Sequence, residues 1–250
     1  MYIPETHSTS SLLRELYQEH LPHMFSIRTD FQTAGRGQAG NSWESEAGKN
    51  LLFSTLLRYE GIHPASQWRL SMLVVVALWD TLAKYLSPEL LTIKWPNDIY
   101  YGDKKLVGIL IENSLSGQYV GHSIVGIGVN VNQTKWLSSA PNPISLKEIT
   151  AEEYDVEVLM NEWISSMKSW ELRNTEEIKT AYMQHLYRRN GWHLYVEREV
   201  SIAPTAIAKK GIEGSFLAEI TNITEQGELI LRLQNNEEKI YHFKQIRFVL

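Results

Sequence analysis

"AGRGQAGNSW", residues 34–43, sets glycines at positions 35, 37 and 40 and so meets the G-x-G-x-x-G spacing of dinucleotide-binding loops. That spacing implies a pyrophosphate seated on a helix only when a strand enters the loop and a helix leaves it. The entering segment "MFSIRTDF" (24–31) carries β-branched and aromatic residues in a run too short for a helix, and reads as a strand. The leaving segment "NSWESEAGKN" (41–50) has turn formers and no apolar stripe, and "LLFSTLL" (51–57) after it reads as a short buried strand. The loop therefore joins strand to strand. Oxidoreductase chemistry on a doubly wound sheet becomes a poor alternative, because no helix N-terminus meets the phosphate.

Outward from this loop, "SSLLRELYQEH" (10–20) places Leu12, Leu13, Leu16 and Tyr17 on one helical face and predicts a short opening helix. "SQWRLSMLVVVALWDTLAKYL" (66–86) has helical spacing and is nearly apolar all round in its middle, which predicts a central buried helix. Residues 90–95 read as a strand, 96–104 as a turn or hairpin region, and 105–113 and 119–132 as two further strands, giving antiparallel neighbours joined by short turns. Helices are expected near 151–171 and 175–188. From Gly191 onward short strands alternate with turn signals such as "EQGE" and "QNNEE". The expected organisation is a mixed α/β domain over 1–190 and a small all-β domain over 191–250.

A chain of 250 residues with a net charge of -5 from 24 basic and 29 acidic side chains has no overall basic footprint for nucleic acid. It has no apolar run of membrane-spanning length and no signal-peptide pattern at "MYIPETHSTSS". It has no cysteine, which fits a reducing cytoplasm and excludes thiolate ligands, disulfides and cysteine nucleophiles.

Three stretches carry charge or glycine where packing alone does not require it. The glycine loop can turn backbone N–H groups toward an anion, and Arg36 adds a planar cationic fork suited to phosphate or carboxylate. "KWPND" (94–98) and "KKLVGILIE" (104–112) bring Lys94, Asp98 and Lys105 into strand-like sequence. "VGIGVNVN" (125–132) alternates glycine with apolar residues and ends in Asn130 and Asn132, so a ligand can approach its backbone. Each has an ordinary structural reading as well: a solvated hairpin, edge lysines and turn chemistry, a tightly packed strand.

Taken together and in order, "TAGRGQAGNSW" (33–43), "KWPNDIYYGDKKLVGILIE" (94–112) and "VGIGVNVN" resemble biotin protein ligases. The resemblance runs from Ser8 to about Asn132. It implies a catalytic domain with a class II synthetase-like mixed sheet, followed by a C-terminal SH3-like β-barrel. The reaction it implies is ATP-dependent formation of biotinyl-5′-AMP with Mg²⁺, then transfer of biotin to a lysine of a biotin carboxyl carrier domain, by a monomer or homodimer. Carried over by position, Ser8, Thr9, Ser10, Gln32, Gly37, Gln38 and Gly108 would contact biotin, with Arg36 and Lys105 at its carboxylate in the catalytic roles. Gly35, Arg36, Gly37, Gln38, Lys94, Asn97, Asp98, Lys105 and Asn130 would lie near the nucleotide, and Trp43 would flank its adenine. Metal ligands are not assignable.

The chain also departs from the family pattern. Where many members read G-R-G-R-x-G-R-x-W, Gln38 and Asn41 replace arginines and Ala39 occupies an often basic position, leaving Arg36 as the loop's one cation. Ser10 replaces the asparagine of a Ser-Thr-Asn motif and shortens its reach.

Several alternatives fit less well. A lipoate ligase would show a glycine triplet and histidine, an octanoyltransferase needs a cysteine, and a protein kinase needs H-R-D and D-F-G elements. A non-catalytic biotin or biotinyl-adenylate binder remains the alternative from another class. The motifs begin by Ser8, so a short form without a DNA-binding repressor domain is expected. Residues 33–48 and 100–105 are expected to be mobile without ligand.

Overall fold

The computed structural model describes residues 1–59, 61–137, 142–198 and 214–249. Its main sheet has seven strands. In chain order these are β1 (Tyr2–Thr6), β2 (Ser26–Gln32), β3 (Leu51–Leu57), β4 (Leu91–Lys94), β5 (Asp98–Tyr101), β6 (Lys104–Ser116) and β7 (Tyr119–Val129). Their spatial order is β1-β2-β3-β7-β6-β5-β4, with β1 parallel to β2 and every other pair antiparallel. The sheet is therefore mixed, as expected.

The strands entering and leaving the glycine loop are β2 and β3, paired Ser26 to Thr55 through Thr29 to Leu52. β3 is buried along its whole length because β2 and β7 flank it and helices cover it. Helix α1 (Thr9–Glu15) packs Leu13 with Ile27, Leu56 and Ile124 on one side of the sheet. Helix α2 (Trp68–Leu82) lies in the main core, and Met72 to Trp79 are buried without interruption. An unbroken apolar surface of this kind needs cover on all sides. β4 and β5 supply it together with α4 (Val156–Glu171) and α5 (Thr175–Gln184).

The structure differs from the sequence expectations in three places. β1 precedes the opening helix, which is shorter than expected, and its parallel ladder continues as Thr33 N donates to Thr6 O and Ala34 N to His7 O. The region 96–104 contains a true strand, β5, between β4 and β6. A short helix α3 (Leu146–Thr150) stands ahead of α4, opened by a reciprocal capping box between Ser145 and Glu148. At the turn 102–105, expected to be mobile without ligand, Tyr187 OH donates to Asp103 Oδ1 and Lys105 N donates to Asn142 O at 2.7 Å.

The C-terminal segment forms a second, antiparallel sheet of β8 (His193–Glu197), β9 (Ser215–Ile223), β10 (Leu229–Leu233), β11 (Glu238–Tyr241) and β12 (Ile246–Phe248), in the order β11-β10-β9-β8-β12. Four consecutive strands make a meander and β12 returns to pair with β8, consistent with the SH3-like expectation. Among the described residues, no helix is long and apolar enough to cross a membrane.

Candidate active site

One cleft of about 590 Å³ opens on the main sheet, a volume within the usual range for small-molecule sites. The glycine loop roofs it. Trp43 N donates to Gly35 O, Gly37 N donates to Asn41 O at 2.7 Å, and Arg36 bridges to Ser42 in antiparallel register. The loop is thus a narrow hairpin whose tip is a single turn of 3₁₀ helix at Gln38–Gly40. Gly35 is required here for a specific reason: a Cβ on it would stand 2.5 Å from the Trp43 carbonyl oxygen. It lets the loop backbone pass close to Trp43 and is not itself part of the cleft lining, whereas the other sequence-predicted site residues line the cleft.

One end of the cleft is a buried cluster of hydroxyls. Ser8, Thr9 and Ser10 open α1 and are almost wholly buried. Ser8 is the helix N-cap by position but makes no capping bond; its hydroxyl lies 3.1 Å from Ser10 Oγ. Thr9 Oγ1 lies 2.8 Å from Ser54 Oγ, and Gln32 Oε1 accepts from both the backbone N–H and hydroxyl of Thr9. Buried hydroxyls keep unused donors and acceptors that a ligand can complete.

The other end is cationic. β4 and β5 pair Lys94 with Asp98, and Lys105 at the start of β6 donates to Asp98 Oδ2 at 2.6 Å. Lys94 Nζ lies 2.9 Å from Tyr100 OH and over the rings of Tyr100 and Phe248. Burial pushes Lys94 down to about 8; Asp98 opposes this, while Lys105, Arg188 and Arg198 push it further down. Arg198, Lys244 and Arg247 of the C-terminal sheet complete this end.

Between the two ends, the Trp43 indole lies flat on the sheet. Gly108 of β6 and Gly128 of β7 are register partners. A Cβ at either would meet the ring at 2.5 or 2.4 Å. Trp43 Nε1 is buried there with no hydrogen-bond partner. The roof is pinned to the walls by two contacts. Gln38 Nε2 donates to Asn97 Oδ1 at 3.1 Å, and Arg36 forms a bidentate pair with Glu112, its Nη2 at 2.6 Å from Oε1, which Arg14 shares. Arg36 therefore already has a counter-ion, and an incoming anion competes with the partly exposed carboxylate of Glu112.

The asparagines after β7 act mainly as scaffold. Asn130 Nδ2 donates to Lys105 O and Ile144 O, while its Oδ1 is buried without a partner. Asn132 exchanges two bonds with the backbone of Tyr154, away from the cleft. Sequence reading missed Ser54, Glu112, Trp136 and the C-terminal cations. Ser54 and Glu112 had a visible signal, as polar residues inside the apolar runs "LLFSTLL" and "KLVGILIE"; the others are brought in only by tertiary packing.

The biotin/lipoate A/B protein ligase family matches residues 2–130. A biotin--[acetyl-CoA-carboxylase] ligase of Paracoccus denitrificans is 32% identical over 212 residues, covering 80% of this chain and 81% of its own length. The bifunctional ligase/repressor BirA of Bacillus spizizenii is 29% identical over 241 residues, covering 94% of this chain and 69% of its own length. In fold, the chain is similar to a biotin protein ligase from Aquifex aeolicus in complex with biotin and ATP, with a TM-score of 0.74 at 23% identity, covering 100% of this chain and 98% of that one.

Proposed function

We propose a reaction from one premise: the chain belongs to the biotin/lipoate A/B protein ligase family. Within that family it is a biotin protein ligase. The observation that carries this reading is the polarity of the cleft, with a buried neutral hydroxyl cluster at one end and clustered cations at the other. A ureido ring has several donors and acceptors and suits Ser8, Thr9, Ser10, Ser54 and Gln32. A lipoyl dithiolane has none and would leave their remaining donors and acceptors unmatched, a mismatch binding sites reject strongly.

In the first step a biotin carboxylate oxygen attacks the α-phosphorus of ATP, the bond to the bridging oxygen breaks, and pyrophosphate leaves. Negative charge spreads over phosphate oxygens in the transition state, so fixed donors placed there do the catalysis. Arg36 leaves Glu112 for the reacting anions, Lys105 is aimed by Asp98, and loop N–H groups add to them. Trp43 lifts from the glycine floor to cover adenine. Mg²⁺ comes as part of the substrate, bound to ATP. Among the described residues, no group of three His, Cys, Asp or Glu could hold a resident ion. The hard oxygens at hand are Asp98 and the unpartnered Oδ1 of Asn130.

In the second step the ε-amine of a lysine on a biotin carboxyl carrier domain attacks the acyl carbon of biotinyl-5′-AMP. AMP leaves and the amine gives up a proton. No enzyme nucleophile is needed, in keeping with a cysteine-free chain, and the absence of cysteine together with the use of ATP supports a cytoplasmic location. The test is biotin-dependent exchange of labelled pyrophosphate into ATP, followed by transfer to a carrier domain. Absence of exchange with folded protein would leave the non-catalytic binder as the better reading.

Two further results are expected. Lys94 titrates near 8 in the free protein, and an anionic triphosphate favours its charged form. ATP affinity should hence be level below that pH and fall above it, with up to one proton taken up on binding. Calorimetry in buffers of different ionisation enthalpy measures this uptake, and it should vanish in Lys94→Met; uptake that persists would acquit Lys94. Gln38→Arg replaces a neutral contact to Asn97 with a charged fork beside the phosphate. Release of biotinyl-adenylate should slow about tenfold, the effect of one charge-assisted bond. A chase of labelled adenylate with unchanged kinetics would reject it.

A further inference from the structure

Trp95 immediately precedes Pro96, Asn97 and Asp98, yet its own partner lies far along the chain. Its buried Nε1 donates to the carbonyl oxygen of Gly227 at 2.9 Å. Gly227 sits in the turn between β9 and β10, which is closed independently of Trp95: Thr224 N donates to Glu228 O, Gly227 N to Thr224 O, and Thr224 Oγ1 to Glu228 Oε2. Gly227 has a φ of +90°, and a Cβ there would stand 2.4 to 2.7 Å from three atoms of the Trp68 indole. Only glycine meets both demands.

The same short segment is held by a second element. Tyr182 of α5 donates its hydroxyl to Pro96 O at 2.9 Å, and its ring meets Trp68 edge-on. Residues 95–97 are thereby fixed between a helix of the first domain and a turn of the second sheet. Phe243 of the second sheet also packs on Trp95. The cleft cations Arg198, Lys244 and Arg247 belong to that sheet or its flanks, so the contact that fixes Asn97 and Asp98 also sets where these cations stand.

We propose that the Trp95–Gly227 contact is a positioning device for the nucleotide half of the site, registering the C-terminal sheet on the turn that carries Asn97 and Asp98. This deepens the ligase reading and rests on it for its kinetic consequences alone. Trp95 borders the cleft and Gly227 acts on it through Trp95, while the hydroxyl end, formed by α1, β2 and β3, has no share in the contact. Loss of the tie therefore affects ATP more than biotin, whose link to this turn runs through Lys105, the partner of Asp98.

The test uses the full chain carrying Trp95→Phe, which keeps an aromatic ring in place but removes the N–H. The expected result is a KM for ATP raised about tenfold, the scale of a lost buried hydrogen bond, with the KM for biotin within about twofold of wild type. Hydrogen exchange, measured without substrates, should rise at amides 97–99 and stay unchanged across 26–57. Gly227→Ala should act in the same direction, and Trp95→Phe decides alone if that variant does not fold. Equal changes in both KM values, a lowered melting temperature with unchanged KM values, or unchanged exchange at 97–99 would each overturn the proposal. If the wild-type protein shows no pyrophosphate exchange, the ligase reading falls, and the amide measurement still decides whether the contact positions this turn.

Discussion

Lys105→Met is expected to lower the rate of biotinyl-adenylate formation about 10³-fold, the upper range for loss of one preorganised donor at a developing negative charge. Lys105 Nζ stands 2.6 Å from Asp98 Oδ2, in a cleft where both side chains are about one-third or less exposed. Removing the ammonium thus does two things. It takes away a donor to the reacting carboxylate and phosphate, and it leaves the Asp98 carboxylate facing two anionic substrates without its neutralising partner. Single-turnover formation of labelled adenylate measures the effect at saturating biotin and ATP, so that a fall in the chemical step is separated from weaker binding. A loss of less than about tenfold would remove Lys105 from the catalytic role. Lys105→Arg keeps the charge but not the compact geometry and should recover part of the rate.

The strand-to-strand setting of the glycine loop was legible because β2 and β3 are short runs with clear composition, and turn formers separate them. The central helix was legible because an apolar stretch as long as α2 has few other solutions. β1 was not: "YIPET" is an exposed edge strand with a proline, and it pairs in parallel with β2 at an offset of 26 residues, Tyr2 with Arg28. α3 escaped because five residues show no apolar period, although "SLKE" carries the S-x-x-E capping signature.

The site divides in the same way. Residues clustered in three continuous motifs could be named in advance, but their partners could not. Nothing local says that Glu112 holds both Arg36 and Arg14, or that Ser54 completes a cluster with Thr9. Glycines 108 and 128 showed a backbone open to close approach, but not what approaches it. Register pairing supplies the answer, since it aligns the two glycines into one flat step beneath Trp43.

That step makes a graded expectation along one strand. At Gly128 a Cβ would lie 2.4 Å from Trp43 Cε2, 2.7 Å from Nε1 and 2.8 Å from Cζ2, distances no packed carbon tolerates. At Gly126, two residues away on the same face of β7, it would lie 3.5 Å from Ser54 Oγ and farther from its other neighbours, an ordinary contact. Gly128→Ala pushes the indole off the floor in the free protein, and its methyl also occupies the flat surface that adenine takes when Trp43 lifts, narrowing the cleft between its two ends. Overpacking of this kind costs up to about 3 kcal/mol, and kcat/KM for ATP should fall roughly 10²-fold. Gly126→Ala should change it by less than about threefold, since its Cβ displaces nothing. Both positions are backbone-paired in the same ladder, so a general weakening of β7 would lower the two activities alike. Steady-state kinetics with ATP varied at saturating biotin separates the cases: equal losses in the two variants would mean that the glycine floor does not form the seat of the nucleotide.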